Sequence, residues 1–234
     1  MAYSRIMLKL SGEVFAGNTE FGIDRPTLAD IANQIAEVAA FTQVVVVVGG
    51  GNIWRYRDTK DSKIERTASD AMGMLATIMN SVALQSALEE HSAETRVLSA
   101  IDIPQLAEPF IKRRALRHLE KNRIVICGGG TGNPYFTTDS AAALRALELS
   151  CDVLLKATNV EGIYDKDPRT NKDAKKYDQL TYQQAIEQHL QVMDQAAFSL
   201  CQEQALPIVV FDFFGKGNLL RAAKGEKIGT LVHG

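Results

Sequence analysis

Five consecutive valines, Val44–Val48, run directly into three consecutive glycines, Gly49–Gly51. A β-branched run that is apolar at every position has no wet face, so its strand must be covered on both sides, as in a parallel sheet packed between helices. Comparable runs recur at Arg5–Leu10, Gln43–Val48, Thr95–Ser99, Arg123–Cys127, Asp152–Lys156 and Pro207–Phe211, with a short one at Thr230–Val232. Helical periodicity fills the intervals near Pro26–Phe41, Ala68–Glu90, Glu108–Lys121, Ser140–Leu149, Tyr182–His189 and Asp194–Gln204. Strand, crossover helix and strand in repetition predict an α/β fold, a three-layer αβα sandwich with a mostly parallel central sheet. Asp24, two residues before Pro26, is the expected cap of the first long helix.

The chain has 234 residues, 46% apolar and 23% charged, which is enough to build a core and excludes disorder. No linker or repeat divides it, so 1–234 reads as a single domain. The 26 Lys and Arg residues against 28 Asp and Glu give a net charge of −2 with both signs scattered, and no nucleic-acid-binding face is expected. The longest aliphatic run falls far short of the roughly 20 residues that span a bilayer, and the charged start lacks a signal-peptide core. Cys127, Cys151 and Cys201 are odd in number and widely spaced, so a reducing cytoplasm is the expected compartment.

In open α/β sheets ligands gather at the carboxyl ends of the strands. Those ends carry Lys9-Leu10-Ser11-Gly12-Glu13, then Gly49-Gly50-Gly51-Asn52, then Gly128-Gly129-Gly130 followed by Thr131–Asp139, and lastly Lys156-Ala157-Thr158. Consecutive glycines remove the Cβ atoms that would hold an anion away from the backbone, and a helix N-terminus after each loop adds partial positive charge. Two triplets on different strands suggest two phosphate-bearing groups and transfer between them. Each feature also has a plainer explanation, since a glycine triplet can serve a tight turn, Lys9 can shield apolar neighbours with its stem, and Asp139 can oppose a helix dipole. Neither the Gly-x-x-x-x-Gly-Lys-[Ser/Thr] loop nor a Gly-x-Gly-x-x-Gly fingerprint is present.

The block Thr131-Gly-Asn-Pro-Tyr-Phe-Thr-Thr-Asp139, together with Lys9-Leu-Ser-Gly-Glu13, Gly49-Gly-Gly-Asn52, the stretch Asp70–Asn80, Lys156-Ala-Thr158 and Tyr164-Asp-Lys-Asp-Pro168, resembles the bacterial uridylate kinases of the amino-acid kinase superfamily from end to end. That resemblance implies transfer of the γ-phosphoryl group of ATP to UMP, with Mg²⁺ held mainly through ATP phosphates and no dedicated metal ligands. It implies ATP contacts at Lys9, Leu10, Ser11, Gly12, Gly51, Arg55, Thr158, Tyr164 and Asp167. It places UMP at Gly50, Asp70, Thr131, Gly132, Asn133, Pro134, Tyr135, Phe136, Thr137 and Thr138, and it makes Lys9 and Asp139 the catalytic pair, with Asp139 orienting Lys9 or a Mg-bound water. It further implies a homohexamer, GTP as activator and UTP as inhibitor, with Gly17, Asn18, Thr19, Glu20, Phe21, Gly22, Arg96 and Arg123 as the allosteric residues.

The chemistry agrees with the residue types. An acceptor phosphate is already ionised and needs no strong base, so the lack of a candidate His or Cys is expected. Departures from the family pattern are Tyr56 where glycine is expected, Glu161 for aspartate, Tyr135 for phenylalanine and Ser86 for an acidic residue. Two other classes stay open from sequence: a kinase of this fold acting on a carboxylate or carbamate, which the Thr131–Asp139 loop opposes, and a nucleotide-sensing module without turnover.

Overall fold

In the computed structural model, which describes residues 2–55, 63–190 and 192–234, the chain begins with β1 (Arg5–Leu10), α1 (Gly12–Ala16), α2 (Arg25–Ala39) and β2 (Gln43–Val48). It continues through α3 (Arg66–Glu90), β3 (Thr95–Ser99), β4 (Glu108–Pro109), α4 (Lys112–Glu120), β5 (Ile124–Gly128), α5 (Thr138–Glu148) and β6 (Val153–Thr158). The last third holds β7 (Gln179–Thr181), α6 (Tyr182–Glu187), α7 (Gln195–Glu203), β8 (Ile208–Asp212), α8 (Asn218–Ala223) and β9 (Thr230–His233). The strands join one sheet in the order β4-β3-β5-β2-β1-β6-β8-β9-β7. Every pairing is parallel except β8 with β9. The expected α/β sandwich is therefore the observed one.

Strand alternation sorts the side chains into two cores. Ile6, Leu8 and Leu10 of β1 join Val44, Val46 and Val48 of β2 against Ile31 and Ile35 of α2 and Leu84 and Leu88 of α3. Met7, Val45, Val47 and Leu154 face the other way, against Ala141, Ala142, Ala143 and Ala146 of α5. Lys9 follows Met7 by two residues and so belongs to the α5 face of the sheet. The alanines keep α5 close to β1, which lets a lysine rooted in the strand reach the first turn of that helix.

Local chemistry sets the boundaries. Asp24 caps α2 as expected, its carboxylate accepting from Thr27 N at 3.0 Å. Thr137 caps α5 by accepting from Asp139 N and Ser140 N, so this helix starts two residues earlier than its apolar periodicity suggests. The helix expected from Glu108 instead begins at Lys112, because Pro109 cannot donate to a helix and disfavours helical backbone at the residue before it. Glu108 and Pro109 pair with β3 as β4. By length and composition alone α3 would qualify as a membrane span, although 44% of its most apolar window is buried inside the protein.

Candidate active site

Parallel register puts Lys9 of β1 directly beside Lys156 of β6. Two ammonium groups on adjacent strands repel, and the first turn of α5 supplies the counter-charge. Asp139 Oδ1 lies 2.9 Å from Lys9 Nζ, and Lys156 Nζ donates to Asp139 Oδ2 at 2.7 Å. The three side chains are nearly enclosed, at 11%, 14% and 13% exposure for Lys9, Lys156 and Asp139. Burial alone would raise the Asp139 carboxyl, but the Lys9 and Lys156 ammonium groups overcome that and hold it below its ordinary value. Burial pushes the Lys156 ammonium down, Asp139 opposes the shift, and the Lys9 charge adds to it. The Asp194 carboxylate also favours the charged form of Lys156, so the charges balance behind the site while both ammonium groups line the larger cavity, where an incoming polyanion meets them.

Val192 and Asp194 fix this array from behind. Lys156 Nζ donates a second hydrogen bond to Val192 O at 2.7 Å. Asp194 accepts from Ser140 Oγ and from Thr137 Oγ1, and also caps α7 through Ala197 N. The starts of α5 and α7 are thereby tied together beside the lysines.

Two cavities open on either side of a shared wall. The larger, about 860 Å³, is lined by Lys9, Ser11, Glu13, Gly51, Arg55, Lys156, Thr158 and Phe214, among others. The smaller, about 390 Å³, is lined by Gly50, Asp70, Thr77, Gly130, Thr131, Asn133, Phe136, Thr137 and Thr138. Gly51, Trp54 and Arg55 belong to both. Arg55 donates through Nε to Gly51 O and lies 3.3 Å from Glu13 Oε1, so its guanidinium is anchored across the wall.

The glycine triplet after β2 divides its work. A Cβ on Gly49 would come within 2.6 Å of Gly12 N, and one on Gly50 within 2.8 Å of Ala76 Cβ and of Gly73 O. These two positions are glycine because protein approaches them, which corrects the expectation that the triplet as a whole clears room for an anion. At Gly51 a Cβ would meet nothing nearer than Arg55 Nε at 3.5 Å. After β5, Gly129, Gly130 and Gly132 have φ of 77°, 60° and 80°, where the missing side chain serves the turn itself. Gly50→Ala is accordingly expected to cost about 1–3 kcal/mol by overpacking against α3, read as a lowered midpoint in urea unfolding.

A buried amide pair locks the same region. Asn80 Nδ2 donates to Asn52 Oδ1 and to Gly49 O, both at 2.7 Å, while Asn52 Nδ2 donates to Gly22 O at 2.7 Å and to Asn80 Oδ1 at 3.1 Å. The loop after β2, helix α3 and segment 17–22 are thus joined without exposure, since both asparagines are fully buried.

Around the smaller cavity, Asp70 accepts from Arg66 Nε at 2.9 and 2.8 Å and from Tyr135 N at 2.8 Å. The Arg66 guanidinium also stands 5.7 Å from the Tyr135 ring centre. Tyr135 holds φ at 70°, uncommon for a residue with a side chain, and the Asp70 contact offsets that strain. Gly132, Pro134 and Tyr135 shape the loop without lining the cavity.

Other expected residues are placed as follows. The Leu10 side chain packs into the core on the far face, and Gly12 packs against Gly51 N, so neither lines the larger cavity. Thr158 does line it, but its hydroxyl already bonds Val160 O at 2.9 Å and Phe211 O at 3.1 Å. Tyr164 and Asp167 do not line it; the Tyr164 hydroxyl donates to Glu161, and Asp167 holds Arg169. Asp139 touches neither cavity and meets them through its lysines. Gly17, Thr19, Glu20 and Phe21 line the larger cavity, whereas Asn18 and Gly22 do not. Arg96 and Arg123 lie at the opposite, amino-terminal ends of β3 and β5, with Arg123 Nε donating to Glu94 at 2.7 Å, so the chain does not bring them to segment 17–22. Tyr56 falls outside the described residues. Sequence reasoning quoted Lys156 within a motif at a strand end without giving it a role, and passed over Asp194; the signal for Lys156 was a second lysine on a mostly apolar strand.

The model of the amino acid kinase family matches residues 4–212, and this chain belongs to that family. UMP kinase from Bacillus anthracis is 40% identical, with a TM-score of 0.96 over 100% of this chain and 97% of that one. UMP kinase from Ureaplasma parvum is 38% identical, with a TM-score of 0.95 and full coverage of both chains. Uridylate kinase from Archaeoglobus fulgidus is 31% identical, with a TM-score of 0.76 over 99% of this chain and 100% of that one. Within the amino acid kinase family, the chain belongs with the UMP kinases.

Proposed function

We propose that this enzyme transfers the γ-phosphoryl group of ATP to UMP, giving UDP and ADP, and that it serves pyrimidine nucleotide synthesis leading to CTP. The observation that carries the reading is the Lys9–Asp139–Lys156 array on the larger of two cavities that share the Gly51–Arg55 wall. ATP takes the larger cavity and UMP the smaller. A phosphate oxygen of UMP attacks the γ-phosphorus; the new P–O bond forms as the bond to the β,γ-bridging oxygen breaks, and its electron pair leaves on ADP. The attacking oxygen carries no proton at neutral pH, so no base is needed. Lys9 and Lys156 stabilise charge gathering on the transferring group and the leaving oxygen, while Asp139 holds both ammonium groups in place before substrate arrives.

No group of three His, Cys, Asp or Glu side chains comes together among the described residues. Asp139, the buried carboxylate beside Lys9, is already engaged by two cations. A Mg²⁺ ion bound mainly by ATP phosphate oxygens and water fits such a site, where it would neutralise phosphate charge. GTP activation, UTP inhibition, a homohexamer and a cytoplasmic location belong to the same proposal, supported by family membership and, for GTP alone, by the resemblance of Gly17–Gly22 to the family's activation loop.

Purified protein given ATP, Mg²⁺ and a panel of acceptors should form UDP from UMP. Phosphorylation of acetylglutamate, aspartate or carbamate with none of UMP would overturn the reading. Asp70 suits the ribose, because a carboxylate can accept from two adjacent hydroxyls. Asp70→Asn is expected to raise the KM for UMP on the order of tenfold, as one charge-assisted contact weakens, while the KM for ATP holds. Initial-rate measurements with each substrate varied in turn separate the two.

A further inference from the structure

Given the donor site proposed above, three of the polar residues expected to contact ATP already have partners within the protein. The Thr158 hydroxyl is committed to Val160 and Phe211, Tyr164 to Glu161 and Asp167 to Arg169. The larger cavity also offers an aromatic ring, Phe214, which is 52% exposed although the next residue back, Phe213, is fully buried. An exposed phenylalanine is unremarkable by itself. This one lines the site cavity and is held there: its N–H donates to Asp212 Oδ1 at 3.0 Å, and its ring meets Phe213 edge-to-face at 6.0 Å between centres and 85°. Phe213 is in turn fixed by its own N–H, which donates to Thr158 O at 2.9 Å.

The position is also at the right remove from the chemistry. β8, whose end leads into Phe214, lies two strands from β1, which puts β8 itself about 10 Å across the sheet from the strand that carries Lys9, at neighbour spacings of about 4.8 Å. A ribose and a phosphate chain fill that interval between a base and a reacting terminal phosphate. We infer that Phe214 is a specificity-determining residue of the donor site, a platform on which the purine ring of the donor nucleotide stacks. Stacking tolerates any purine, so the ring sets affinity for a nucleoside triphosphate over bare polyphosphate rather than adenine over guanine. Phe21 lines the same cavity from segment 17–22, outside helix and strand, where its carbonyl accepts from Thr19 Oγ1 at 3.1 Å and its ring has no ring partner among the described residues.

The test is equilibrium calorimetry on the full chain without UMP, using ATP and inorganic tripolyphosphate as separate probes. Phe214→Ala is expected to weaken ATP binding about tenfold, the worth of one base–aromatic stack, and to leave tripolyphosphate binding as in the wild type. Phe214→Trp should restore ATP affinity, which a merely structural loss would not. Unchanged ATP affinity in Phe214→Ala, equal weakening of both probes, or a loss found in Phe21→Ala alone would overturn the inference. Wild-type protein that bound ATP in this ring-dependent way yet passed nothing to UMP would uphold the stacking site and overturn the proposed reaction.

Discussion

Asp139→Asn is expected to remove phosphoryl transfer and to weaken the fold together. The substitution keeps the shape but takes away the anion between two buried ammonium groups that sit side by side on paired strands. Breaking a buried ion pair from one side leaves uncompensated charge, at a cost of about 3–5 kcal/mol. Lys156, whose ammonium burial already pushes down, loses the stronger of the two carboxylates that oppose the shift and becomes easier to deprotonate. Turnover should fall at least on the order of 10²–10³, the scale seen when one preorganised charge-stabilising group is removed, and the urea midpoint should drop in the same sample. The linkage has a definite sign. Because the folded carboxyl titrates below its ordinary value, its stabilisation is fully present above about pH 4 and is lost as the pH falls through the depressed folded value. The variant should lack that acid-side contribution. Wild-type turnover and midpoint in Asp139→Asn would remove the array from both roles.

Lys9→Met should separate chemistry from stability. Methionine preserves most of the apolar stem on the α5 face, while Asp139 keeps Lys156 as its partner at 2.7 Å. One buried charge is gone and none is stranded, so the unfolding midpoint should stay close to wild type. The ammonium that lines the larger cavity is lost all the same, and kcat should fall on the order of 10²–10³. The pair of variants therefore differ in kind: the aspartate variant is inactive and unstable, the lysine variant inactive and stable. If Lys9→Met turned over UMP at the wild-type rate, Lys156 alone would carry the charge stabilisation.

The long features were legible in the sequence because their physics is local. The runs Arg5–Leu10, Gln43–Val48 and Thr95–Ser99 are mostly apolar or β-branched, and they are observed with the expected bounds. β4 and β7 have two and three residues, Glu108–Pro109 and Gln179–Thr181, and carry no apolar run; they exist because a neighbouring strand offers an edge. The short helices α1 and α8 were missed for a similar reason, at five and six residues. At the site, the loops at strand ends could be located from their glycines, yet the glycines' separate duties could not. Whether Gly50 faces a ligand or Ala76 depends on how closely α3 packs, which sequence spacing does not encode. Lys156 became a site residue only once register set it beside Lys9, a relation between strands nearly 150 positions apart.

Gly51, Trp54 and Arg55 serve as a party wall, one face toward each cavity. A partition of this kind cannot be altered for one tenant alone. If one nucleotide shifts the Arg55 guanidinium and thereby changes affinity for the other, thermodynamic reciprocity requires the second to change affinity for the first by the same factor. The coupling between the two nucleotides would then be written into the masonry of the loop after β2, and Arg55 is the brick whose removal should make them indifferent to each other.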